Sequence, residues 1–136
     1  MNSTLKSILT AGTLALSLAF GAVAPAAAAG SISVVVTPTD PEQAQAMRMG
    51  LTMISLVKGM SENGGISQNG LGNMAGVIQN GGSNQAVIIQ EGDGHVGTIE
   101  QNGDDNSCGL FQFGEATESH IEQNGGETCM AFQVGF

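Results

Sequence analysis

The chain has 136 residues, with three Lys and Arg against twelve Asp and Glu. No basic patch for nucleic acid can be assembled from so few cations, and adhesion to anionic lipid is disfavoured. Trp and Tyr are absent and Gly numbers 21, about twice its ordinary share, so the chain is either disordered or built from regularly spaced tight turns.

Residues 1–29 read as a secretory signal peptide. Lys6 supplies the positive start, Ile8 to Val23 is an apolar run, and Ala26 to Ala29 offers small-residue cleavage sites. Cleavage is expected before Gly30. The remainder keeps Arg48 and Lys58 against twelve carboxylates, a net charge of about −10. No second apolar stretch is long enough to span a membrane. An exported chain permits a disulfide between its two cysteines.

Residues 30–62 form a segment of a different kind. Ser31 to Thr37 is β-branched and reads as one strand. Asp40 can cap a helix with Pro41 in its first position, and Gly59 suits its end. Met49, Met53, Leu56 and Met60 recur at helical spacing, as do Met47, Leu51 and Ile54. The segment is expected to be an amphipathic helix packing on the repeat domain. The alternatives are a recognition segment for export and a cap on one end of the stack.

Residues 63–136 repeat. Glutamine falls at Gln68, Gln79, Gln90, Gln101, Gln112, Gln123 and Gln133, in steps of eleven with a last step of ten. Two residues after each come Gly70, Gly81, Gly92, Gly103, Gly114, Gly125 and Gly135. An aliphatic or Ala precedes each Gln by two residues and a small residue by four. Period two is a strand with one inward face. The Gly/Asn/Asp-rich stretches between are turns, where Asn and Asp side chains are expected to bond to their own backbone. Two 11-residue arms, each about six residues of strand and five of arc, then close one rung of about 22 residues. The predicted fold is all-β: a two-sheet β-solenoid of about three rungs, preceded by the short strand and the helix. Stacked in parallel, the inward glutamines form an amide ladder, each donating to the next.

The residues match a known family here. Gln68-x-Gly70-x-x-Asn73-x-Ala75-x-x-x-Gln79 resembles the curlin repeat, and Gln79-x-Gly81-x-x-Asn84-x-Ala86-x-x-x-Gln90 resembles it again in full. Later units drift: His95 stands for Asn, Gly97 and Cys108 for Ala, and Thr117 and Ser119 for Asn and Ala. The resemblance implies a secreted subunit of curli-like extracellular amyloid, serving adhesion and biofilm matrix. It further implies polymerisation with itself and other curlin-type subunits, and passage through a secretion pore with its chaperones.

No catalytic, cofactor or metal site is expected. His120 points outward, while Cys108 and Cys129 point inward on the other arm, so a Cys/His metal site is awkward. The acids Glu91, Asp93, Asp104 and Asp105 sit in arcs and read as solvated turns, with calcium the lesser alternative. Cys108 and Cys129 each precede a Gln by four residues, and stacking would bring them to bonding distance. The 22-residue rung also sorts the outward residues. Ile89, Phe111 and Phe132, with Val87 and Met130 beside them, should make an exposed apolar column, a site for lateral bundling or for docking the helix. Glu100 and Glu122 should stack as like charges on the opposite sheet. No cap is expected after Phe136, which leaves open strand edges for another chain. The rival readings are a soluble solenoid that nucleates or caps a separate fibre, and a flat surface or ice binder.

Overall fold

The computed structural model describes residues 30–136, so the signal-peptide expectation for residues 1–29 lies outside the described residues. Strand β1 (Ser31–Val36) and helix α1 (Pro41–Val57) come first. Seven strands come after them: β2 (Gly64–Asn69), β3 (Met74–Asn80), β4 (Gln85–Asp93), β5 (Val96–Asn102), β6 (Ser107–Glu115), β7 (Glu118–Asn124) and β8 (Thr128–Gly135). One sheet runs β1-β8-β6-β4-β2 and the other β3-β5-β7. The chain alternates between the sheets at every arc, which makes a β-solenoid of about three turns, as the period required. Among the described residues no helix is long and apolar enough to cross a membrane.

All pairings within the solenoid are parallel and in phase: Gln68 faces Gln90, Gln90 faces Gln112, and Gln112 faces Gln133. The second sheet repeats the rule with Gln79, Gln101 and Gln123. The residue deleted before Gln133 is absorbed in the arc before β8, where Ser107 pairs with Thr128. The inner core is Ala86, Ile88, Ile99, Leu110 and Ala131 with Cys108 and Cys129.

The arms are less uniform than their sequence spacing. Strands β4 and β6 each run nine residues and are followed by arcs of two, whereas four residues separate β3 from β4 and β5 from β6. Gly92 and Gly114 consequently lie inside the last residues of β4 and β6. Gly70, Gly81, Gly103 and Gly125 fall just past their strands. All six have positive φ, between 85° and 125°. They are also where backbones of neighbouring rungs come close, for a Cβ on Gly92 would sit 1.9 Å from the Gly114 carbonyl oxygen.

The N-terminal segment departs from one expectation. Strand β1 pairs antiparallel with β8, from Ser31 opposite Gly135 to Val36 opposite Met130, so the edge of β8 is covered and not open. The cap comes from the front of the chain, as the capping alternative for residues 30–62 allowed. Asp40 caps α1 by accepting from the Gln43 amide, with Pro41 in the first turn. Gly59, at φ 74°, ends the helix. Its N–H reaches the Leu56 carbonyl and that of Met60 the Ser55 carbonyl, a Schellman closure.

The two apolar stripes of α1 part company. Leu51 is fully buried against the first sheet, with Ile54 and Met60 packed nearby, whereas Met49, Met53 and Leu56 are exposed. Gly109 makes the close approach possible, since a Cβ there would lie 2.5 Å from the Leu51 Cδ2. Ile89 and Phe111 are therefore buried under the helix, so the column is not exposed, and of the two roles expected for it the structure shows the docking of the helix. Only Phe132 stays 38% exposed, stacked on Phe111 with ring centroids 4.9 Å apart.

The glycine column supplies a test. Gly92→Ala meets both the left-handed φ and backbone overlap and is expected to lose about 3 kcal/mol or more. Gly125→Ala meets nothing within 4 Å and should lose only about 1–2 kcal/mol, the cost of φ alone. Midpoints of urea unfolding compare them; equal losses would reject the close-approach account.

Candidate functional site: the stacked amide columns

The feature that recurs on every arm is the inward glutamine. Gln90, Gln101 and Gln112 are fully buried and Gln123 is nearly so. A buried amide must be satisfied on both its oxygen and its N–H groups. Each is satisfied the same way. Gln90 Nε2 donates to Gln112 Oε1 at 2.8 Å and to the Met74 carbonyl on the other sheet at 2.9 Å. Gln101 Nε2 donates to Gln123 Oε1 and to the Gln85 carbonyl, at 2.7 and 2.8 Å. Gln112 Nε2 donates to Gln133 Oε1 and to the Val96 carbonyl. The side chains thus tie rung to rung and sheet to sheet at once. Gly97 leaves room for them: a Cβ there would lie 2.6 Å from Gln112 Oε1.

The ladder has a direction. Gln68 donates to Gln90 and Gln79 to Gln101, so donation always runs toward the C-terminal rung. Gln68 and Gln79, on the first rung, are exposed. Gln123 and Gln133, each the last glutamine of its sheet, donate only to the Ser107 and Glu118 carbonyls.

The arcs carry two further columns, Asn84 and Asn106 on the side of the first sheet and Asn73 with His95 on the side of the second. The expected bonds of turn asparagines to their own arc are present, from Asn73 Nδ2 to the Asn69 carbonyl and from Asn106 Nδ2 to the Asn102 carbonyl, but further partners lie in the next rung. Asn84 Oδ1 accepts from the Asn106 amide and its Nδ2 donates to the Gly103 carbonyl; Asn73 does the same toward His95 and Gly92. Asn106 Oδ1 accepts from the amides of Gly125 and Glu127. The signal is present in the 11-residue phase of these asparagines, but only the stacked backbone shows where their further bonds go. His95 takes an Asn place in the second of these columns. It is fully buried, contacts the Thr117 hydroxyl through Nδ1 at 2.8 Å, and leaves Nε2 without a partner. Asp93 and Asp104 also reach across rungs, accepting from the amides of Leu71 and Gly82.

Cys108 and Cys129 are joined as a disulfide, their Cα atoms 4.6 Å apart on adjacent strands of one sheet. The bond staples the last two rungs of that sheet. Outside, Glu100 lies opposite Glu122 in register, each near the amide of an Asn two residues on. Arg48 and Lys58 both serve the N-terminal segment. Arg48 donates to the Thr128 hydroxyl and the Asp105 carbonyl, and Lys58 meets Glu91 at 3.2 Å. The Asn69 amide, helped by Lys58, holds the Glu91 carboxyl below its usual range. Among the described residues no group of three or more His, Cys, Asp or Glu could hold a metal ion.

Three variants measure what the columns and the disulfide contribute. Gln90→Ala with Gln101→Ala removes two buried amides, strands their partners and leaves voids, and is expected to lose about 4–6 kcal/mol in all. Gln45→Ala, on the helix, should stay within about 0.5 kcal/mol of the parent. Removing the disulfide by Cys108→Ser with Cys129→Ser should cost about 3 kcal/mol, the chain entropy of its loop. Unfolding midpoints at constant slope are the measurement. A ladder variant as stable as Gln45→Ala would show that the glutamines do not bear on stability.

Neither the curated proteins nor the solved structures contain a match to this chain. One family model does match: residues 81–114 fit the curlin associated repeat. That segment contains β4, β5 and most of β6, with three of the ladder glutamines, Gln90, Gln101 and Gln112. The chain therefore carries the curlin associated repeat, folded as stacked rungs of a β-solenoid.

Proposed function

We propose that this protein is a structural subunit that polymerises by strand-edge addition into curli-like extracellular fibres, with no catalytic role. The observation that carries the reading is the directional amide ladder, with exposed glutamine oxygens at one end and unshared N–H groups at the other. A stack whose columns are identical from rung to rung is continued by any further rung of the same kind, and an unpaired edge templates it. The exposed edges of β2 and β3 are such templates. The curlin associated repeat supports the structural class.

In this reading residues 1–29 direct export and are removed, residues 30–62 form a capping segment, and residues 63–136 are the fibre module. The seven ladder glutamines hold the fibre together, and the product is extracellular. Other curlin-type subunits and a dedicated secretion pore are the expected partners. A soluble module that nucleates or caps a separate fibre is the second reading, favoured by one observation: β1 already covers the β8 edge. A cross-β dye assay with electron microscopy on the chain from Gly30 onward separates them. Fibres support the first reading; a persistently soluble monomer rejects it.

The acids set a pH dependence. Stacking Glu100 on Glu122 is repulsive, and no Lys or Arg lies in residues 61–136 to offset it. Fibre growth is expected to quicken as pH is lowered and this repulsion weakens. Glu91 works the other way. Its depressed pKa means its link to Asn69 and Lys58 contributes above the unfolded pKa and is lost as pH falls through the folded one. Glu100→Gln with Glu122→Gln is expected to remove most of the dependence. An unchanged pH profile in the double variant would reject the charge account.

A further inference from the structure

Seven strands shared between two sheets leave the last rung half built. Among the described residues strand β8 begins a fourth rung on the first sheet, and β7 is the edge strand of the second. Beside β7 is a groove of about 830 Å³, lined by Ser119, Ile121 and Gln123 of β7, Cys129 and Ala131 of β8, and Val35 of β1. The beginning of α1 closes one side. Strand β1 meanwhile sits on β8 where the next rung would go. It runs antiparallel and places Ser33, not a glutamine, opposite Gln133.

We infer that β1 is a displaceable plug, and that a second copy of this chain completes the end by seating its β2 in the groove beside β7 and its β3 on β8 in place of β1. This rests on the fibre reading and gives it a register. The path of the chain alternates sheets, so after β8 the next arm belongs on the second sheet. The incoming β2 must lie there, and successive copies are related by a half-turn about the fibre axis. Each copy advances about 17 Å, three and a half strand spacings.

Three sets of contacts fit this register. Inside, Gln123 would donate to Gln68 of the next copy and Gln133 to Gln79, which gives the unshared N–H groups the exposed oxygens. In the core, Ile121 would meet Ile66, which is 42% exposed in one copy alone. Outside, the Phe111–Phe132 column would continue into Ile78, itself 58% exposed, and the Glu100–Glu122 column would end on Ser67. Stacking without the half-turn puts β2 on β8. It leaves the groove empty, and sets Phe132 against the polar Ser67.

Two measurements test it, both on the chain from Gly30 onward. Ile32→Cys with Val134→Cys joins register partners of β1 and β8. The oxidised lock should keep the far-ultraviolet circular dichroism of the parent and fail to grow from parent seeds. Its β2–β3 end remains open, so a small fraction of it should add once and stop growth, slowing parent elongation about tenfold. The single-cysteine variants, alkylated, should grow as the parent does. In fibres, Asn69→Cys with Asn124→Cys should cross-link chains into a covalent ladder, and Asn69→Cys with Val134→Cys should not. A lock that elongates at the parent rate, or the opposite cross-linking pattern, overturns the inference and leaves the fibre reading standing. Failure of the parent itself to form fibres overturns both.

Discussion

A buried primary amide has two donors and an acceptor to satisfy, and the whole solenoid is arranged around doing so at every arm. Inside a protein an unpaired amide costs more than a paired one contributes. The inward glutamines are therefore tolerable only if another glutamine lies one strand spacing away in the same phase. That fixes parallel pairing, fixes register, and makes each rung a copy of the last. The asparagine columns apply the same rule to the backbone of the arcs. The glycines obey it too: rungs close enough to share amide bonds bring their arc backbones too near for a Cβ.

Repetition leaves the ends as the special places. The middle rungs have both neighbours and are dry, whereas Gln68 and Gln79 on the first rung are exposed. The non-repetitive residues start at the other end and run back across the first sheet, where Met60 reaches Gly65 of β2. Strand β1 covers one edge, Val35 packs toward the inner core, and α1 lies across the outer face of the same sheet. Both cations of the described chain tie this segment to the acidic solenoid.

The departures from the repeat mark where it was adapted. Gly97 in place of Ala clears space beside Gln90 and Gln112, and Gly109 clears space for Leu51. Cys108 and Cys129 replace two small inward residues with a covalent link between the last two rungs of the capped sheet. His95 replaces an asparagine and leaves its Nε2 unpaired, and nothing in the structure explains the substitution.

Much of this architecture was legible in periodicity alone. The step of eleven, the period of two within each step and the constant phase of Gln and Gly dictate strand, arc, sheet membership and register. So the two glutamine columns, the Cys108–Cys129 neighbourhood and the Glu100–Glu122 stack could all be read from the residues in order. Features without a period were settled in three dimensions. Which helix stripe turns inward depends on the shape of the sheet under it, where Gly109 admits Leu51, and Met49 and Met53 have the same spacing but no such seat. The pairing of β1 with β8 joins segments almost a hundred residues apart, and an isolated β-branched run carries no register signal to name its partner. The bonds of the asparagines to the next rung were hidden for the same reason. Their nearest backbone in sequence is their own arc, but their nearest unsatisfied backbone in space is the next rung.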